Sequence, residues 1–156
     1  MRQIVPVARP SLSKADLGEA ARQIIAARLM LAGLKVFRPM NEDTPVDLLV
    51  LGSNGEARKC QCKYLFPSAK GSHMLRLCAI RKNGPNRKAH GHVSTRSEMD
   101  FFLGYCLDND AVYVIPYDEC GGRREVALWI LREPVGKNGR ANFDGKRWLR
   151  AYHLLK

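Results

Sequence analysis

No stretch of the chain approaches the roughly 20 consecutive apolar residues that cross a bilayer, and residues Met1–Pro10 lack the apolar core of an export signal. The expectation is therefore an intracellular protein with no membrane span. Paired cysteine spacings are also missing. The five cysteines, Cys60, Cys62, Cys78, Cys106 and Cys120, are odd in number, which argues against a disulfide framework and for a reduced compartment. Cys60-x-Cys62 with Cys78, His73, His90 and His92 offers zinc-ligating side chains, but fingers and ribbons place roughly two to four residues between paired cysteines. Buried small hydrophobes account better for these cysteines. Acidic residues are scarce, 15 Asp and Glu against 26 Lys and Arg, leaving a formal charge of +11. A polyanion is the expected partner. Internal repeats and linkers are absent too, and 156 residues with 46% hydrophobic content suit one compact domain spanning residues 1–156.

Against these absences the chain has clear periodicity. Leu17, Ala20, Ala21, Ile24, Ala27 and Leu31 recur at spacings of three and four, predicting an amphipathic helix over residues 14–32. Ser13 is placed to cap it, Asp16 suits its first turn and Gly33 can close it. A short apolar stretch at Val36-Phe37 follows. Asp47–Leu51 then reads as a strand, Gly52-Ser53-Asn54-Gly55 as a turn, and Ala57–Leu65 as the returning strand of a hairpin. With Ser53-Asn54-Gly55 as a three-residue loop and Gly55 left-handed, Asp47 faces Gln61. A loop one residue shorter or longer opposes Asp47 to Cys62, still beside the middle of the partner strand. Residues 81–97 carry Gly, Pro and five basic side chains with little to bury, predicting a surface loop. Asp100–Cys106 and Ala111–Tyr117 predict a second hairpin, and Val126–Arg132 a further strand. A short basic tail with Trp148 and Tyr152 ends the chain.

One cluster carries chemistry. Phosphodiester hydrolysis needs a divalent cation at the phosphate and a group that steers the attacking water, and hard cations such as Mg²⁺ take carboxylate and carbonyl oxygens. Asp47 supplies a carboxylate at the head of one strand. On the partner strand side chains alternate, so Gln61 and Lys63 share a face while Cys60 and Cys62 point the other way. An amide oxygen and an ammonium thus come beside Asp47.

These residues resemble the PD-(D/E)XK nuclease superfamily, whose core is a helix followed by three strands. Its signature, an Asp opening one strand and then an acid or Gln, any residue and Lys on the next, is matched by Pro45-Val46-Asp47 and Gln61-Cys62-Lys63. Gly18-Glu19 matches the upstream acid of the first helix, and Asp100–Pro116 looks like the strand pair of the group I intron-encoded homing endonucleases. The resemblance covers residues 15–117. Gln61 stands where most members carry an acid, a variant that occurs within the intron-encoded branch.

The resemblance implies an α/β restriction-endonuclease-like fold, a central mixed β-sheet flanked by helices. It implies cleavage of double-stranded DNA with Mg²⁺, or Mn²⁺ as substitute, held by Asp47, Gln61, the Cys62 carbonyl and Glu19, with Lys63 orienting or activating the water. A homodimer or homotetramer is expected, since two scissile phosphates call for two sites. Arg81, Lys82, Arg87, Lys88, His90, His92 and Arg96, with Lys137, Arg140, Lys146, Arg147 and Arg150 of the C-terminal segment, are candidate phosphate contacts.

Plainer roles exist for several of these. Glu19 has Arg22 and Gln23 one turn on as partners, Asp47 can serve as a turn-capping acid, and the basic residues can form a solvated face. Two other functions share the pattern, a junction-resolving nuclease and a DNA-binding module without catalysis.

Overall fold

The computed structural model describes residues 11–41, 44–69, 71–81, 90–120, 122–130 and 142–156. The long helix α1 runs Lys14–Leu31. Its first turn is closed by Ser13 Oγ, which accepts the Asp16 N–H at 3.1 Å, and Gly33 follows it at φ +83°, a conformation that costs glycine little. The buried row is Ala21, Ile25 and Leu29, with Leu17 and Ile24 beside it. Ala27 and Leu31, expected in the stripe, are exposed. Apolar residues flank two adjacent rows of this helix, and only the sheet beneath decides which row is covered.

Eleven strands follow among the described residues: β1 Lys35–Phe37, β2 Leu48–Leu51, β3 Ala57–Tyr64, β4 Phe66–Pro67, β5 His73–Arg76, β6 Cys78–Arg81, β7 His90–Val93, β8 Phe101–Cys106, β9 Ala111–Pro116, β10 Glu125–Trp129 and β11 Asn142–Asp144. The central sheet has the order β1-β2-β3-β8-β9. It is mixed, because β3 and β8 run parallel while its other pairs are antiparallel. A restriction-endonuclease-like α/β core is therefore present. Among the described residues one face of this sheet carries α1. The other is covered by a second sheet, β11-β10-β5-β4, together with the single turn α2 at Tyr117–Cys120.

Alternation explains why the central strands read as unbroken apolar runs. Leu103 and Tyr105 of β8 and Val112 and Val114 of β9 join the cluster under α1. Phe102, Cys106, Ala111, Tyr113 and Ile115 join the cluster under the second sheet. Strands buried on both faces need apolar residues at every position. Phe101 and Tyr117 pack at the edges of these clusters, so the aromatic residues serve the core.

Gly104 marks a close approach between these layers. A Cβ there would sit 2.8 Å from Leu65 Cδ2 and 3.0 Å from its Cγ, and Leu65 is itself 1% exposed with nowhere to retreat. Gly104→Ala is expected to destabilise the protein by about 1–3 kcal/mol through overpacking. Urea denaturation reads the loss, and the smaller Leu65→Val background should lessen it.

Several boundaries differ from the sequence expectation. Asp47 lies just before β2, β9 stops at Pro116 with Tyr117 starting a helical turn, and the Val126 strand begins at Glu125. The segment read as a surface loop is based on a two-stranded ribbon, β6 paired with β7. Strands of four residues each, one of them His90-Gly91-His92-Val93, are too short to show a period of their own. Residues 82–89 and 131–141 lie outside the described residues. The basic tail folds into two 3₁₀ turns, Gly145–Trp148 and Tyr152–Leu155, that bury Trp148, Ala151 and Leu155.

Candidate active site

The hairpin β2–β3 decides what the site contains. Leu48 pairs with Cys60 and Leu51 with Ala57, around a turn in which Gly55 takes φ +82° and donates to the Gly52 carbonyl at 3.0 Å. This is the register of the three-residue loop, which opposes Asp47 to Gln61. Asp47 N–H donates to the Cys60 carbonyl at 2.9 Å, and Asp47 Oδ2 accepts the Cys62 N–H at 2.8 Å. The carboxylate thus continues the ladder where β2 has ended. N–H and C=O of one strand residue point to the same side, so the Cys62 carbonyl also faces the gap beyond β2.

Burial pushes the Asp47 carboxyl above its ordinary value, against the Cys62 N–H and the charges of Arg22, Lys63 and Arg38, which lower it. The Cys62 thiol is driven well up, first by burial and then by Asp47, and stays neutral.

Gln61 is 7% exposed. Its Nε2 donates to the Pro45 carbonyl at 3.1 Å, while Oε1 is buried without a hydrogen-bond partner. The amide is thereby oriented with its oxygen unspent. Lys63, half-buried, stands two residues on and lines the same cleft of about 540 Å³ with Asp47, Gln61, Cys62 and Glu19.

Glu19 reaches this cleft from α1, and it is heavily paired. Arg22 bridges it to Asp47, touching Glu19 Oε2 and lying 3.5 Å from Asp47 Oδ1. Arg38 holds Glu19 Oε1 at 3.2 Å and Gln23 donates to the same oxygen at 3.1 Å. The helix partners expected from spacing are both made. The cleft also admits three cations that sequence reasoning passed over as site residues, Lys14, Arg22 and Arg76. Arg22 was detectable at i+3 from Glu19. Arg76, whose guanidinium lies 5.7 Å from the Phe66 ring centroid, had no local signal.

The donors gathered here suit a hard divalent cation. Asp47, Glu19, Gln61 Oε1 and the Cys62 carbonyl are all oxygen donors, and the buried, unpaired Gln61 Oε1 is the kind of atom a cation satisfies. Arg22 supplies positive charge between the two carboxylates.

The candidate DNA contacts divide. The backbones of Arg81, His90 and His92 lie in the β6–β7 ribbon. Lys82, Arg87, Lys88, Lys137 and Arg140 fall outside the described residues. Arg96 is engaged by Asp100 at 2.6 Å and Asp118 at 3.0 Å. Arg147 pairs with Glu119 at 2.8 Å and stacks on Trp148. Lys146 and Arg150 are exposed.

Comparison with known proteins bears on the whole arrangement. No curated protein matches the sequence. A solved structure, that of the bacterial homing endonuclease I-Ssp6803I, superposes with a TM-score of 0.72 at 20% identity, over 92% of this chain and 93% of that one, which shows a shared fold. The family model for PD-(D/E)XK endonucleases matches residues 12–150, and the chain belongs to that family.

Proposed function

We propose that this protein is a Mg²⁺-dependent endonuclease of double-stranded DNA, of the site-specific homing type, with Mn²⁺ as an effective substitute. The observation that carries this reading is the convergence of Asp47, Gln61, Lys63 and the Cys62 backbone at the open end of β2. Family membership makes the activity that of a nuclease, and the charge of +11 favours nucleic acid as its polyanion. Likeness to a homing endonuclease favours the homing type.

In this reading Asp47, Gln61 Oε1, the Cys62 carbonyl and Glu19 would hold the ion. Bound there, it would neutralise the phosphate and acidify a water. Lys63 would orient the attacking water or help remove its proton; the water oxygen would bond to phosphorus as the bond to the leaving oxygen breaks, the departing oxygen taking up a proton from solvent. Arg22, which bridges Glu19 and Asp47, would have to release both carboxylates for them to ligate an ion. Arg76 and Lys14 attract the phosphate from the rim. Arg81, His90 and His92 of the β6–β7 ribbon would contact the DNA backbone, as would Lys82, Arg87 and Lys88, which lie outside the described residues, and Arg96 would join them only by leaving Asp100 and Asp118. Cutting both strands requires two copies of the site, hence a homodimer or homotetramer, each chain one domain.

The test is cleavage of a random duplex library with Mg²⁺, beside a four-way junction. A defined set of cut duplexes is expected, with binding that weakens steeply between about 50 and 200 mM salt. Preferential cutting of the junction would replace homing by resolution. Tight binding with no cleavage in Mg²⁺ or Mn²⁺ would leave a DNA-binding module.

A further inference from the structure

A second cluster lies where the two sheets join, built from none of the residues that line the Asp47 cleft. His73 opens β5 of the four-stranded sheet. Cys106 ends β8 of the central sheet, and Asp108 stands two residues further on, in the turn to β9. A ring nitrogen of His73, Cys106 Sγ and a carboxylate oxygen of Asp108 lie within 4.8 Å of one another.

The environment of these side chains is unusual for packing alone. His73 is 3% exposed, and its Nε2 is 2.7 Å from Asp108 Oδ2. Its Nδ1 has no hydrogen-bond partner, so either tautomer leaves one buried nitrogen unsatisfied, a state native interiors avoid. The neighbouring Asn109 adds a second buried atom without a partner, Oδ1, while its amide nitrogen donates to Tyr113 Oη at 2.7 Å. Cysteine, histidine and an acid also form nucleophilic triads. Cys106, however, is 0% exposed, out of reach of a substrate. A bare ion is small enough to enter past Asp108, whose side chain is 28% exposed.

We propose that His73, Cys106 and Asp108 form a zinc site. One sulfur, one imidazole nitrogen and one carboxylate oxygen make a donor set for zinc rather than magnesium. Tetrahedral bond lengths place such donors about 3.3–3.6 Å apart, within reach of small side-chain rotations from the distances here. As the zinc–sulfur bond forms, the Cys106 thiol proton leaves to solvent. Thiolate and carboxylate then balance the dication, giving a neutral centre suited to burial. The fourth position is left to water. The centre ties β5 to the end of β8, and the chain between its ligands contains the whole β6–β7 ribbon. Zinc there would cross-link the two sheets without entering the cleavage chemistry.

The test uses the full chain, stripped with a chelator and titrated with Zn²⁺ or Co²⁺. One equivalent of zinc should bind, and Co²⁺ should give a thiolate-to-cobalt charge-transfer band that Cys106→Ser removes. At a zinc concentration a hundredfold above Kd, Tm should rise by about 5–10 °C, a rise lost in His73→Asn. If either variant fails to fold, the part-exposed Asp108→Asn replaces it and should weaken zinc binding about 10-fold or more. Asp47→Asn should keep the band, which separates this site from the nuclease reading. Absence of both band and Tm rise in the folded wild type overturns the proposal. So does a band that survives Cys106→Ser and disappears with Cys60→Ser or Cys62→Ser.

Discussion

Asparagine in place of Asp47 is expected to lower Mg²⁺-dependent cleavage by about 1,000-fold or more and, at neutral pH, to make the protein more stable. The first effect follows from removing the carboxylate nearest the proposed ion, since one preorganised electrostatic group is typically worth a factor of about 10²–10³ and an ion ligand serves several such groups at once. The second follows from burial. Desolvation raises the Asp47 carboxyl above its ordinary value of 3.8 in the folded protein, despite the Cys62 N–H and Arg22. A carboxyl with a raised folded pKa binds its proton more tightly folded than unfolded, so wild type loses stability as pH climbs from the ordinary value through the raised one. The substituted amide does not ionise, and its oxygen can still accept the Cys62 N–H. The variant therefore gains on wild type across that window and keeps the gain at neutral pH, by about 0.5–2 kcal/mol, the usual return for relieving a strained functional site. Below the ordinary carboxylate value the two proteins converge. Denaturation at about pH 7 and about pH 3, paired with cleavage assays, measures both effects. Near-wild-type cleavage by the variant, or lower stability at neutral pH, sinks the assignment.

Lys63→Ala carries the other large effect, with a different signature. Lys63 is half-buried at the cleft, so its loss should leave the fold and duplex affinity nearly intact while cleavage falls by about 10²–10⁴, the range of general acid–base assistance. Lys63→Arg separates two roles. Arginine retains the charge that steers the water but does not release a proton at working pH, so substantial recovery by Arg assigns Lys63 to orientation and no recovery assigns it to proton transfer. Single-turnover cleavage with DNA binding measured in parallel distinguishes these outcomes, and unchanged cleavage in Lys63→Ala contradicts the role altogether.

Sequence and structure contributed different parts of this picture. The helix with its Ser13 cap, the β2–β3 hairpin and the β8–β9 hairpin were legible because each depends on neighbours in the chain. Asn54-Gly55 sets the turn, the turn sets the register, and the register puts Asp47 beside the strand holding Gln61 and Lys63. The central part of the candidate site is thus a local structure. The covered row of α1 was not legible, nor were the second sheet, the β6–β7 ribbon and the burial of Trp148 and Leu155. Short strands of mixed polarity have little periodicity of their own, and packing across layers selects among equivalent local patterns.

The same division applies to charge and metal chemistry. The sequence by itself determined a basic chain with one paired motif, without usual zinc-finger spacing and without a membrane-spanning run. Tertiary structure alone placed Arg22 between Glu19 and Asp47, brought Arg76 to the cleft, and joined His73 to Cys106 and Asp108 across two sheets. The contacts of Arg22 with Asp47, of Arg76 with the cleft and of His73 with Asp108 join residues distant in sequence, and no local periodicity encodes a contact whose partners are chosen by how whole sheets stack.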